Sequence, residues 1–405
     1  MSRLKASPTW ILIIAWLGWV FDVMDAALFN FARGPMLKEL LAVGQSSALY
    51  EAWFQAVFLA GSAIGGLFFG LMADRWGRGR TMIVTILIYS LTTGLMAFAP
   101  NVQVALVIRF VTGLGIGGEW AAGASLVAEV MPTKRRALGA VVLQSAAAVG
   151  PCLAALINLN VPSAHWRWLF LAGVAPALLC VAIRFLVQEP SATERRPAVP
   201  VGVVLANPKW GRALRTALFF GVFGVVGAQI LPYWLPNIVN SIASSFGDEA
   251  KKNFLSINTF TLHIGTLLGV IAFPWLADRF GRRPIFGLFF LLAPVGVWAV
   301  MLFGRTPSNL LLLLPLSTFF GIGLTSGFVL YFPELFPPEF RATGSGLAYN
   351  AGRILGILVP LLVPILVSMW GPLTAVGTLS LIFWFGLIGL FWAPETKGQP
   401  LPEHV

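Results

Sequence analysis

Twelve long apolar stretches follow one another along the chain, at about 9–32, 50–72, 81–99, 102–128, 137–161, 167–187, 213–240, 253–277, 284–303, 308–333, 342–368 and 372–392. A helix needs about 20 predominantly apolar residues to cross the hydrocarbon core of a bilayer. The series therefore predicts an all-α integral membrane protein. Composition agrees: 58% of residues are hydrophobic and 11% charged, with mean hydropathy +0.83. A soluble domain carries about 25% charge, so this chain cannot build a water-facing surface. The two cysteines, Cys152 and Cys180, lie inside apolar runs, which argues against a disulfide framework or a metal site. The first stretch, from Trp10 to Phe31, is too long for a cleavable signal and carries Asp22 and Asp25. It is expected to stay as the first helix.

Positive charge orients the series. With a cytoplasmic N-terminus, the cytoplasmic loops hold Arg75, Arg78 and Arg80, then Lys134 to Arg136, Arg195 to Arg215, and Arg279, Arg282 and Arg283. The opposite side holds scattered cations, among them Lys38, Arg167 and Arg305, and Lys251 and Lys252 beside Asp248 and Glu249. Twelve helices return the C-terminus to the cytoplasm. This asymmetry accounts for the net charge of +11 without a nucleic-acid partner. The absence of N-x-S/T sequons and of long outer loops fits a bacterial inner membrane.

The chain also repeats itself. Residues 70–80 read GLMADRWGRGR and 274–284 read PWLADRFGRRP; AEVMPTKRRALGA (128–140) aligns with PELFPPEFRATGS (333–345). Glu129, Arg136 and Gly139 map onto Glu334, Arg341 and Gly344 at one constant offset, and the first loop pair departs from it by one residue. Two loops matched in order and spacing point to parallel repeats, the arrangement that places a substrate site near the midplane between halves. The longest polar stretch, Gln188 to Arg215, reads as the connection. The expected organisation is a six-helix bundle over 1–187, a linker over 188–212 and a second six-helix bundle over 213–405.

GLMADRWGRGR resembles the signature loop after the second helix of the major facilitator superfamily. RFVTGLGIGGEW (109–120) resembles its fourth-helix signature, and PETKG (394–398) its exit from the twelfth helix. GWVFDVMDAALFNF (18–31) resembles the D-x-x-D first helix of acid:proton symporters. GGEW and PETKGQPLPE look like the sialate and lactate:proton group, and aromatic-acid:proton symporters share the D-x-x-D feature. This likeness implies a major facilitator fold, an organic-anion substrate and proton coupling. It also implies that the cytoplasmic loops latch the halves. Asp74, Glu129 and Glu334 close helices at their C-termini, where an acid opposes the helix dipole and must face something else. Asp74, Arg78, Asp278, Arg282, Glu129, Arg136, Glu334 and Arg341 are accordingly read as conformational latches. The plainer alternative is solvation of interfacial charge.

GLGIGG matches G-x-G-x-x-G at Gly113, Gly115 and Gly118, but no strand precedes it, so it is not a nucleotide site. Glycines four apart, such as Gly61/Gly65 and Gly113/Gly117, instead allow close helix approach. Neither a Walker motif nor any sign of a cofactor or metal is present. His263 stands alone, without an H-E-x-x-H or nucleophile elbow, so an enzyme is not expected.

Charges within the spans each cost several kcal/mol and so imply function or a partner. They are Asp22 and Asp25 in the first helix, Arg109 and Glu119 in the fourth and Arg353 in the eleventh, with titratable His263 in the eighth. In the family fold the third, sixth, ninth and twelfth helices lie outermost, and their cores here carry no charge. At about 1.5 Å per residue, Asp25 and Arg109 lie at similar depth and Glu119 roughly 15 Å below Arg109. Asp25 and Arg109 are the favoured pair. Two neighbouring carboxylates at low dielectric can take and release a proton, which makes Asp22 or Asp25 the proposed carrier and Glu119 the next candidate. A permanently paired structural charge is the alternative for Asp25 and Glu119. Arg353, without an acidic neighbour in its own helix, suits a carboxylate ligand gripped by two parallel hydrogen bonds; a cross-half pair with Asp22 is the alternative. Tyr349 and Asn350 one turn earlier, with Gln144 and Gln229, are further cavity candidates. His263 is left between substrate contact, proton relay and packing. The many Trp and Phe read as lipid-facing or core rather than as a substrate cage.

The resulting expectation is proton-coupled symport of a small organic monocarboxylate by alternating access, in a monomer whose partners are the anion, the proton and the bilayer. A sugar or organic-cation carrier and a non-transporting sensor are the competing readings.

Overall fold

The computed structural model describes residues 8–76, 78–131, 136–162, 165–178, 202, 207–243, 245–337, 340–399 and 401–402. Most of the linker expected at 188–212, the second part of the sixth apolar stretch, Cys180 and the cations at 134, 135 and 195 lie outside these residues.

The described chain is helical, with no strand. In the first half, α1 is Pro8–Leu40, α2 Ser47–Trp76, α3 Arg78–Met96, α4 Val102–Val130 and α5 Arg136–Asn160; the described part of α6 is Arg167–Ala172 with a 3₁₀ turn at Ala175–Leu178. In the second half, α7 is Pro208–Ile242, α8 Asp248–Phe280 and α9 Arg282–Phe303. Helix α10 has segments Pro307–Gly321 and Leu324–Leu335, and α11 has segments Arg341–Gly356 and Leu358–Trp370. Helix α12 comprises Pro372–Ser380, Ile382–Phe385 and a 3₁₀ stretch Gly386–Phe391. Among the described residues, ten helices are long and apolar enough to cross a membrane, and Arg80–Met96 is a shorter apolar helix.

Local chemistry sets the starts. The Asn101 side chain accepts from the Val104 N–H at 2.9 Å and begins α4; Thr306 does the same for Asn309 at 3.3 Å, with Pro307 leading α10. Helix α8 begins five residues before the apolar run, because Asp248 and Glu249 in its first turn complement the helix dipole. Helix α1 runs on to Leu40, past the apolar run that ends near 32, and passes through Pro35.

The end of the bundle at which α2, α4, α8 and α10 finish is termed the inner end. Large apolar side chains are exposed along the flanks: Leu91, Leu95 and Phe98 near and beyond the end of α3, Leu288, Leu291 and Phe303 on α9, and Phe391 at the end of α12. Such a belt is a surface made for lipid rather than water.

Inside each half, two helices touch backbone to backbone along a glycine seam. A Cβ placed on Gly61 or Gly65 of α2 would fall 2.2 or 2.0 Å from the Phe110 or Leu114 carbonyl of α4. In the second half, one on Gly265 or Gly269 of α8 would fall 2.0 or 2.1 Å from the Pro315 or Phe319 carbonyl of α10. Only a residue without a side chain fits at these four positions. The second half is further filled by a buried aromatic cluster including Phe220, Phe273, Phe286, Phe289 and Phe328.

Candidate functional site

A cavity of about 260 Å³ lies between the halves. Its walls come from α1, α2, α4 and α5 on one side and α7, α8, α10 and α11 on the other, and among the described residues none of α3, α6, α9 or α12 lines it. Asp22, Arg109, Gln144, Gln229, His263, Tyr349 and Arg353, all anticipated from sequence, face it together.

Asp25 and Arg109 form the expected pair. Arg109 Nη1 lies 2.9 Å from Asp25 Oδ2, and both side chains are almost wholly buried, 3% and 2% exposed. The guanidinium lies between the rings of Phe29 and Phe58, each centroid 4.1 Å away, a placement that favours a cation. The second Asp25 oxygen accepts from the Thr93 hydroxyl of α3. An outer helix thus supplies a ligand to the charge cluster from behind, a role that the chain's apolar pattern does not reveal. Arg109 lines the cavity whereas Asp25 stands behind it.

The arrangement of carboxylates corrects the sequence-based expectation. Asp22 and Asp25 diverge, since three residues along a helix leave about 60° between side chains. Asp22 instead meets Glu119 of α4, and Arg353 and Asp25 also act on it. Gly18, one turn before Asp22, makes room for the Glu119 carboxyl: a Cβ there would fall 1.9 Å from Glu119 Oε1. Neither Glu119 oxygen accepts a hydrogen bond, nor does Asp22 Oδ1. Asp22 lines the cavity and Glu119 does not.

Arg353 faces the same space from the second half. Its guanidinium lies 5.0 Å from the Tyr349 ring, Nη1 has no acceptor, and its charge acts on Asp22 across the cavity. His263 is buried, with Nδ1 unpartnered. Asn350 is not at the cavity wall. Its side chain packs against Gly66 of α2, where a Cβ would fall 2.6 Å from Nδ2. The cavity role expected of Asn350 is therefore replaced by a contact between halves. The aromatic residues also differ from expectation, since Trp19, Phe31 and Phe58 line the cavity. So do the polar side chains of Asn30, Gln55, Ser62, Thr259 and Thr325, which carry no charge to mark them in a hydropathy profile.

Gln144 of α5 donates to Thr325 of α10 at 2.6 Å, joining the halves at the cavity wall. Toward the outer end, Asn158 of α5 donates to Ser256 of α8 at 3.0 Å, and Lys252 Nζ reaches the Val161 carbonyl at 3.3 Å. Beyond the cavity lies a second space of about 460 Å³, lined by Arg33, Lys38, Glu39, Glu51 and Asp248 among others. Asn30, Phe31 and Leu255 border both spaces. At its rim, Trp166 and Arg167 both donate to Glu39 at 2.8 Å.

At the inner end, Arg282 is bracketed by Asp278 at 2.6 Å and Glu334 at 3.0 Å. Thr396 donates to Glu334 at 2.6 Å, and Glu395 accepts from the backbone N–H groups of Arg282, Arg283 and Lys397. Burial pushes the Glu395 carboxyl up, but those three donors outweigh it and hold it below its ordinary value. Arg341 donates to the carbonyls of Pro333, Phe336 and Pro402. These contacts join parts of the second half to one another and to the segment after α12. The side chains of Asp74, Arg78, Glu129 and Arg136 lie outside the described residues.

A family model described as Major Facilitator Superfamily matches residues 15–247, and one described as Sugar (and other) transporter matches residues 208–404. The probable 4-methylmuconolactone transporter of Cupriavidus pinatubonensis is 30% identical over 392 residues, covering 94% of this chain and 89% of that one. The putative niacin/nicotinamide transporter NiaP of Bacillus subtilis is 32% identical over 369 residues, covering 87% of each. Among solved structures, the proton:xylose symporter XylE superposes with a TM-score of 0.79 at 17% identity, covering 97% of both chains, a likeness of fold.

Proposed function

Since the chain belongs to the Major Facilitator Superfamily, and is a multi-pass membrane transporter rather than an enzyme, we propose that it imports a small organic monocarboxylate together with a proton, by alternating access. It works as a monomer, as its cavity is complete within one chain, and sits in the cell's inner membrane with both termini cytoplasmic.

One observation carries this reading. Arg353, an arginine with a free donor on one half, faces across the cavity to Asp22 on the other, and Glu119 backs Asp22 from outside the cavity wall. An arginine edge is matched to a carboxylate, which accepts two parallel hydrogen bonds from it. Two buried carboxyls in contact, with no donor on three of their oxygens, are suited to hold a proton between them. Arg353 acts on Asp22 across the cavity. Protonation of the pair removes that competitor and leaves Arg353 to the substrate. Asp25, held by Arg109 and Thr93, serves as the fixed counter-ion of Arg109. The tie from Gln144 to Thr325 holds the inner side of the cavity, and releasing it while the outer ties from Asn158 and Lys252 persist opens the cavity inward. The name of the 4-methylmuconolactone relative supports the substrate class, since that compound carries one carboxylate, and the niacin/nicotinamide relative is named for one carboxylate and its neutral amide.

The test is acidification of liposomes that contain the purified protein and a pH-sensitive dye. Lactate, pyruvate, nicotinate, benzoate, sialate and neutral sugars are added outside, and the signal from protein-free liposomes is subtracted. Protein-dependent acidification with a carboxylate and not with sugars is expected. Entry of labelled acid without acidification would remove proton coupling. Entry of sugars alone would favour the second reading, a sugar carrier, to which the match over residues 208–404 points.

A further inference from the structure

The floor of the cavity carries a second recognition element, and it reads the opposite kind of group from Arg353. The Thr325 hydroxyl donates its one proton to the Ile322 carbonyl at 2.6 Å. Its oxygen therefore meets Gln144 as an acceptor, and the Gln144 group that faces it at 2.6 Å is the amide nitrogen, a donor. The orientation of the amide is fixed by this chain of two bonds. It leaves Oε1 as a buried acceptor with no partner, on a residue that lines the cavity. A buried acceptor without a donor is costly, and a ligand that brings a donor removes that cost.

The two elements lie at different depths. By helical rise, Arg353 is roughly 18 Å from the inner start of α11, and Gln144 roughly 12 Å from that of α5. A ligand whose carboxylate is held by Arg353 reaches toward Gln144 with its other end. At that end a second carboxylate would be repelled by Oε1, an apolar group would leave it unpaired, and a hydroxyl or N–H would satisfy it.

We propose that Gln144 is a specificity-determining residue that selects, among small carboxylates, those bearing a hydroxyl or N–H donor at the end remote from the carboxylate. The inference rests on the carboxylate-transport reading above. It also ties selection to movement, since the amide that reads the donor is the one that holds the inner side of the cavity.

The experiment compares uptake by the reconstituted protein of three probes of one shape: 4-hydroxybenzoate, benzoate and 4-methoxybenzoate. The first has a donor, the second has none, and the third has an oxygen but no donor. The wild-type protein should favour 4-hydroxybenzoate by about 5- to 10-fold in Vmax/KM over both others, the scale of one buried hydrogen bond. In Gln144→Leu, and in Thr325→Val, where the amide is free to turn, the preference should fall toward unity. Equal uptake of all three by the wild type overturns the inference and leaves carboxylate transport standing, without recourse to any variant. A preference that survives in Gln144→Leu also overturns it. Uptake of none of the three, with sugars entering instead, overturns the transport reading and this inference with it.

Discussion

Gly18→Ala tests the carboxyl pair by geometry alone. The new Cβ would sit 1.9 Å from Glu119 Oε1, whereas an ordinary contact is at least about 3.4 Å, so the carboxyl must retreat by about 1.5 Å. The obstructing atom is the far end of a flexible side chain, which can swing, so the fold should tolerate the change. The pair with Asp22 should not, since a displacement of about 1 Å at a reacting group can cost on the order of 10²-fold in rate. The expected result is a protein that purifies as the wild type does, with proton-coupled uptake reduced 10- to 100-fold. The compensating change is Glu119→Asp, which shortens the side chain by one carbon–carbon bond, about 1.5 Å, and so matches the retreat demanded. Each single variant should be impaired, and Gly18→Ala/Glu119→Asp should recover a substantial part of the rate. The assay is dye-reported acidification in liposomes at saturating substrate, with substrate affinity measured separately. Wild-type rates in Gly18→Ala would refute the argument, as would a double variant no better than the worse single one, because steric displacement of this carboxyl would then not govern coupling.

Arg353→Ala should abolish uptake of the anion while leaving the protein monodisperse, and Arg353→Lys should retain only a fraction of it, since an ammonium cannot offer the two-pronged grip; wild-type uptake by the alanine variant would remove the assignment. Asp25→Asn should leave Arg109 buried without its counter-ion and lower stability by about 3–5 kcal/mol, read as a fall in melting temperature that an additional Arg109→Gln partly restores. At the inner end, Glu395 is held below its ordinary value of 4.5, so its contribution to stability is fully present above about pH 4.5 and is lost as pH falls through the depressed value. Melting temperature measured down through that window should drop more in the wild type than in Glu395→Gln.

The fold was legible because lipid imposes one rule on every span and the chain obeys it with little interruption. The exceptions have local causes. The start of α8 lies in a polar run that hydropathy assigns to a loop, and only the acids of its first turn reveal the helix. At the site, the members were easier to read than their partners. Charge in an apolar span marks Asp22, Asp25, Arg109, Glu119 and Arg353 at once, and helical rise was enough to match Asp25 with Arg109. Rise treats helices as parallel rods, however, and takes no account of side-chain reach. It set Glu119 well below Arg109 and missed that Glu119 meets Asp22 over Gly18. Neutral groups carry no such mark. Thr93 on an outer helix, Thr325 at the cavity wall, and the turning of Asn350 toward Gly66 follow from which face each helix presents, and that is decided by packing among several helices.

The glycine seams have a mechanical consequence. At the glycine positions no side chain separates α2 from α4 or α8 from α10, so these pairs are locked backbone to backbone there and each half behaves as a stiff jaw. Compliance is confined to the line where the jaws meet. Hydrogen bonds that cross this line include two neutral ones, Gln144 to Thr325 and Asn158 to Ser256, worth about 1 kcal/mol each, and one from the Lys252 ammonium to the Val161 carbonyl. A neutral bond of that size can be given up at either end within the thermal reach of a bound substrate. Stiff jaws joined by weak ties let a small ligand decide which way so large a molecule opens.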